Sequence, residues 1–149
     1  MESPRQTVYL VVAALVRRDD EVLLVSQKAL DDDRAYWALP GGVVEPGEAL
    51  LTALAREVRE EAGLEVTDPG RLAFVAQTPD GIAFTFAIGE WEGQARSSDP
   101  DGLVMDARFF PVGEAIAKLA ELPVPSMREP VVAYLRGTLE PGTVWTKQR

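Results

Sequence analysis

Residues 42–64 read Gly-Val-Val-Glu-Pro-Gly-Glu-Ala-Leu-Leu-Thr-Ala-Leu-Ala-Arg-Glu-Val-Arg-Glu-Glu-Ala-Gly-Leu. Leu51, Leu54, Ala55, Val58 and Ala62 fall at +3, +4, +7 and +11 from the first of them, which is one face of an amphipathic helix. Pro46-Gly47 marks a turn ahead of that helix, and Gly63 stands where a left-handed terminating residue belongs. The pattern predicts a helix from Ala49 to Ala62. Its charges are less ordinary. Glu57, Glu60 and Glu61 stand at i, i+3 and i+4, within an arc of about 100° beside the apolar stripe. Like charges at these spacings repel by a few tenths of a kcal/mol per pair, and they occupy the last two turns, where the helix dipole disfavours negative charge. Two readings account for them: a solvated acidic face softened by Arg56 and Arg59, or a set of hard oxygen ligands for a divalent cation.

The residues just upstream favour the second reading. Leu39-Pro40-Gly41-Gly42 can bring bare backbone close to a ligand, because glycine permits close approach. A strand, a glycine loop and an acidic helix in succession gather backbone groups and carboxylates around one pocket. Glu48 suits the positive end of the helix dipole. It precedes Arg56 by eight residues, about 80° around the axis, so the two meet if the chain before the helix folds back.

Outward from this centre, Thr7–Arg17 reads as a largely buried strand, and Val22–Gln27 as a second one joined to it by an Asp19-Asp20 hairpin turn. Residues 28–35 read as a loop, and Trp37-Ala38-Leu39 leads into the glycines. Leu72–Ala76 and Ile82–Ile88 are strands separated by a turn at Pro79-Asp80-Gly81. Phe84 and Phe86 alternate with Ala83 and Thr85, as core-facing residues do. Residues 94–102 form a polar loop, and Ala107–Pro111 a short strand. Helices follow at Glu114–Leu122 and from a Ser126 cap to Arg136, stopped by Gly137. The helix around Val131, Val132 and Leu135 serves either the core or an interface, leaving a monomer or a homodimer open. The last dozen residues are turn-rich and are expected to pack loosely. The whole, residues 1–149, reads as one domain of mixed α/β type.

Composition narrows the chemistry. With no Cys and no His, disulfides, zinc sites, thiol nucleophiles and Ser-His-Asp triads are excluded. Any metal must then be held by oxygen, which points to Mg²⁺ or Mn²⁺, with Ca²⁺ the other hard cation. Fifteen Lys and Arg against 24 Asp and Glu give a formal net charge of −9, which argues against binding a nucleic acid polymer. It does not exclude a phosphate-bearing small molecule, since a bound cation reverses the local field. The apolar run Val8–Val16 is too short to span a bilayer, and no basic leader precedes it, so the cytoplasm is the expected location.

The stretch at 42–64 resembles a complete Nudix box: Gly, five residues, Glu, seven residues, then Arg-Glu-aliphatic-any-Glu-Glu-any-Gly-aliphatic. Gly42, Glu48, Arg56, Glu57, Val58, Glu60, Glu61, Gly63 and Leu64 fill every position. At about 7% usage per residue type, seven identities at fixed spacing arise by chance about once in 10⁸ starting positions. The resemblance implies an α/β/α sandwich with a mixed sheet and a loop–helix–loop catalytic motif. It further implies Mg²⁺- or Mn²⁺-dependent hydrolysis of a diphosphate linkage in a nucleotide. A nucleoside triphosphate, oxidised forms included, suits the short chain best. ADP-ribose and other nucleotide sugars are the main competitors, and a nucleotide-sensing module without turnover is the alternative from another class. On the same basis Glu57, Glu60 and Glu61 would be metal ligands together with the Gly41 carbonyl. Arg56 would orient them and Glu48 support Arg56. Trp37, Gly42, Asp101 and Asp106 are candidates for contacting substrate.

Overall fold

The computed structural model describes residues 7–28, 34–96 and 102–147, apart from the Met105 side chain. The segments expected as loops at 28–35 and 94–102 lie partly outside these residues, and Asp101 lies wholly outside them. Strand β1 (Tyr9–Leu15) runs to Val16, which is buried and hands the chain from one sheet to another. A two-residue strand β2 (Arg17–Arg18) then turns through Asp19-Asp20 into β3 (Glu21–Lys28). The expected hairpin is therefore shallower than its sequence suggests. Arg17 pairs with Val22 and Arg18 with Glu21, while β1 belongs to the other sheet.

Strand β4 (Ala35–Ala38) pairs antiparallel with β3, and β5 (Gly41–Val43) pairs antiparallel with β1. Helix α1 (Leu50–Ala62) follows, ended by Gly63 at φ +71°, the left-handed position that its sequence predicts. Then come β6 (Glu65–Asp68), β7 (Arg71–Gln77), β8 (Gly81–Ala87), β9 (Glu90–Glu92) and β10 (Val104–Pro111). Two helices, α2 (Val112–Leu119) and α3 (Pro125–Leu135), precede β11 (Thr143–Trp145). Helix α3 begins on Pro125, whose missing N–H costs nothing in a first turn, and no side chain caps it; Ser126 lies inside the helix instead of capping it. The turn-rich end, expected to pack loosely, contributes β11 as an edge strand parallel to β7.

The larger sheet has the order β11-β7-β8-β1-β5 and is mixed, with β1 parallel to β8 and antiparallel to β5. The second sheet joins β10, β3 and β2, with β4 also on β3, and β6 pairs with β9 apart from both. Alternation along β1 and β3 sends side chains to two cores. Val12, Ala14, Leu23 and Val25 meet Ala53, Leu54, Val58 and Ala62 of α1. Leu15, Val22 and Leu24 face the opposite way, toward Ala115 and Leu119 of α2 and Val131 and Val132 of α3. The expected α/β/α sandwich is thus present, and Val131 and Val132 are core residues within one chain. None of the helices among the described residues is long and apolar enough to cross a membrane.

Leu54 is fully buried between α1 and both sheets. Leu54→Ala should destabilise the fold by about 2–5 kcal/mol, read as a lower urea midpoint with an unchanged slope.

Candidate active site

The site grows from the contact between β5 and α1. Pro40 O accepts the Ala14 N–H at 2.8 Å and Leu10 O accepts the Val44 N–H at 2.8 Å. In an antiparallel ladder, bonded pairs alternate with non-bonded ones, so Gly42, opposite Val12, is bonded to β1 while Gly41 turns its backbone outward. The Gly41 N–H donates to Glu61 Oε1 at 2.8 Å, and its carbonyl lies on the same free edge. A Cβ at Gly42 would run into the Glu57 carboxylate, with Oε1 at 2.5 Å and Cδ at 2.6 Å. A Cβ at Gly41 would strike the Val12 carbonyl. The bare Gly42 therefore lets Glu57 of α1 close on the strand, the bare Gly41 lets β5 lie tight on β1, and the Gly41 N–H holds Glu61 at the edge.

Glu61 is 4% exposed, although it carries a formal charge. Burying a carboxylate is tolerated only when its oxygens receive hydrogen bonds. Besides Gly41, the Gln27 amide at the end of β3 donates to Glu61 Oε2 at 3.0 Å. Gln27 carries no motif signal, being the polar end of an apolar run, and the sequence reading passes over it.

Arg56 ties the other acids together. Its Nε and Nη2 donate to Glu48 Oε2 and Oε1 at 2.9 and 3.0 Å, a bidentate pair. Its Nη1 donates to Glu57 Oε1 at 2.9 Å and stands 3.5 Å from Glu60 Oε2. Nη2 also reaches the Val43 carbonyl at 3.4 Å. The chain before the helix does fold back. Gly47 takes φ +78°, the Glu48 N–H donates to Glu45 O at 2.9 Å, and the Glu45 N–H donates to Glu48 Oε1 at 3.1 Å. The Arg56 hydrogen bond, then the Glu45 N–H, hold the Glu48 carboxyl down from 4.5 to about 2. Glu48, Glu57 and above all Glu48's hydrogen bond raise the Arg56 pKa further, against the lowering effect of burial. Arg59 instead pairs with Glu65 on the exposed side, at 2.8 Å, with a weaker electrostatic interaction with Glu60.

The remaining sequence candidates separate from the cluster. Trp37 packs edge-to-face on Phe110, with ring centroids 4.7 Å apart, and Arg108 and Lys118 lie over its ring. Asp106 accepts the Ala107 N–H and pairs with Arg108 at 2.8 Å. Asp101 is outside the described residues. On the sheet face opposite α1, a groove of about 560 Å³ reaches Gly41, Gly42 and Gln27. Val11 and Ala13 of β1, Ala83 and Thr85 of β8 and Ala76 of β7 form its floor, and Leu122, Met127 and Val131 wall it. No sequence motif announces this groove.

The donor set fits a hard cation: side-chain carboxylates and a free-edge carbonyl, all oxygen. Among the described residues no three acidic side chains already converge on one point. Arg56 and Gln27 now occupy oxygens that a metal would compete for.

The NUDIX domain family pattern matches residues 8–133. The chain belongs to the Nudix family. It is 36% identical over 104 residues to human 8-oxo-dGDP phosphatase NUDT18, covering 69% of this chain and 32% of that protein. Over 57 residues it is 47% identical to the CTP pyrophosphohydrolase of Escherichia coli strain K12, covering 38% of this chain and 42% of the relative. The chain thus spans less than half the length of either relative. The crystal structure of a NUDIX hydrolase from Nitrosomonas europaea shares the fold, with a TM-score of 0.76, 22% identity and coverage of 97% of this chain and 82% of that one.

The depressed Glu48 pKa has a defined linkage. A carboxyl whose pKa is lower in the folded state contributes stability above its unfolded pKa, and loses it as pH falls through the folded value. Between pH 4.5 and about 2 the Glu48→Gln variant should therefore lose less stability than the wild type. Glu65, also lowered by its Arg59 partner, provides the parallel control through Glu65→Gln. Thermal unfolding followed across this window tests it.

Proposed function

We propose that the chain is a hydrolase that cleaves the diphosphate linkage of a nucleotide with Mg²⁺ or Mn²⁺ bound at the β5–α1 edge. The observation that carries this reading is the placement of Glu57 against Gly42 and of Glu61 on the Gly41 N–H, beside a groove large enough for a nucleoside. Glu57, Glu60 and Glu61 would hold the metal, with the Gly41 carbonyl as a backbone ligand. When bound, the ion supplies charge neutralisation for the diphosphate oxygens and lowers the pKa of water.

This chain's own groups do the positioning. Glu48 fixes the plane of Arg56, and Arg56 keeps Glu57 and Glu60 close despite their repulsion. Gly41 and Gln27 hold Glu61. In the reaction a water oxygen bonds to one phosphorus as the bridging oxygen leaves with the other, and the water proton passes to a carboxylate of the cluster. The groove takes the nucleoside. The names of the two relatives, an 8-oxo-dGDP phosphatase and a CTP pyrophosphohydrolase, support a nucleoside di- or triphosphate, oxidised forms included.

The test is phosphate release with Mg²⁺ present, from ordinary and 8-oxo nucleoside di- and triphosphates, ADP-ribose and sugar nucleotides. One class should stand out, chelator should abolish it, and Glu61→Gln should lower it by at least about 100-fold, the scale set by losing a group that stabilises transition-state charge. Full turnover in metal-free buffer would remove the mechanism. Arg56→Ala should lower activity far more than Arg59→Ala, since Arg56 hydrogen-bonds Glu48 and Glu57 while the hydrogen bonds of Arg59 described above go to Glu65. Equal losses would reduce Arg56 to a general electrostatic effect.

A further inference from the structure

Thr85 is 3% exposed, one of few buried polar side chains among the described residues. Its hydroxyl makes no hydrogen bond with any described residue, and no fully enclosed side-chain polar atom lacks a partner, so the hydroxyl opens on the groove. Strand register gives its place. Across four strands, Gly41, Ala13, Thr85 and Phe74 form one row, with Val43, Val11, Ala83 and Ala76 the next. The floor around Thr85 is therefore small and apolar, a flat surface suited to a planar ring. Thr85 lies two strand spacings, about 10 Å, from Gly41, whose N–H holds Glu61 on the far edge.

The other polar groups of the lining are engaged or peripheral. The Thr78 hydroxyl donates to Asp80 at 3.1 Å in the β7–β8 turn, the Gln27 amide serves Glu61, and Ser126 is only half-buried at the start of α3. A hydroxyl open to the groove is free to meet a ligand, and valine of nearly the same shape would remove it while keeping the packing. We propose that Thr85 reads the base: its hydroxyl hydrogen-bonds a polar edge of a heteroaromatic ring lying on the Ala13–Ala83–Ala76 floor, and so sets the preference among nucleotides. This rests on the reading that the groove takes the nucleoside.

Two measurements on Thr85→Val and Thr85→Ser test it. In steady-state hydrolysis of dGTP, 8-oxo-dGTP, dATP and CTP, Thr85→Val should lose about five- to tenfold in kcat/KM for the best substrate, the scale of one neutral hydrogen bond. The loss should fall mainly in KM, the spread among the four should narrow, and Thr85→Ser should keep the wild-type order. The same Thr85→Val protein should melt within about 2 °C of the wild type, which a structural lesion would not. Binding of guanosine, 8-oxoguanosine and cytidine, followed by amide chemical shifts, needs no turnover. Shifts should centre on Ala83 and Thr85 and weaken in Thr85→Val. Equal losses for all four nucleotides, an unchanged spread, or nucleoside shifts elsewhere would overturn the assignment. Nucleoside binding at Thr85 without hydrolysis by the wild type would support it while removing the hydrolase reading.

Discussion

The close approach of β5 to its two neighbours depends on the absence of two side chains, at Gly42 toward α1 and at Gly41 toward β1. At Gly42 the space a Cβ would take is filled by the Glu57 carboxylate, and at Gly41 the Val12 carbonyl excludes any substituent. Everything polar at the site follows from that closeness. Glu61 can be 4% exposed because the outward-facing Gly41 N–H and the Gln27 amide both donate to it. A strand edge normally offers its unpaired groups to another chain or to water; here it offers them to a helix. Van der Waals packing of Ala53, Leu54, Val58 and Ala62 holds the helix in place, so the apolar stripe of α1 positions its acidic face.

Much of this arrangement is legible in the chain. The period of Leu51–Ala62 gives the helix, Gly63 its end, and the Glu48–Arg56 spacing foretells a pair that the turn at Pro46-Gly47 completes. These features are local, and helix geometry converts spacing into proximity without reference to the rest of the fold. The strand pattern is legible in part. Alternation identifies β7 and β8, yet the exchange of sheets at Val16 is invisible, because a buried residue at a crossover looks like the continuation of a strand. The parallel docking of β11 is hidden for a similar reason: three residues carry too little periodicity to compete with the turn signals around them.

The parts of the site that sequence does not reveal are those assembled across sheets. Gln27 meets Glu61 from 34 positions away, and Thr85 meets Ala13 only through the parallel pairing of β1 with β8. No motif spans such separations. Nearness in sequence can also diverge from nearness in the fold. Trp37 stands next to the glycine loop in sequence, but strand β4 directs its ring onto Phe110, where Arg108 and Lys118 cover it. Proximity along the chain is a poor guide once a strand intervenes, because successive side chains point to opposite faces.

Net charge gives the arrangement its last constraint. A chain at −9 gathers three glutamates on two turns and spends one arginine on them. That arginine is held at two points by Glu48, so its plane is fixed before it meets Glu57 and Glu60. A lysine would keep the charge but lose the fork, leaving one mobile ammonium among repelling carboxylates. With Arg56 held from behind by Glu48, its Nη1 is the atom turned toward Glu57 and Glu60. Several carboxylates gathered at one strand edge are the setting in which a hard cation is favoured and a bare diphosphate is repelled. In the proposed reaction metal and nucleotide would be coupled, since an anionic substrate meets a carboxylate edge favourably once a bound cation has reversed its charge.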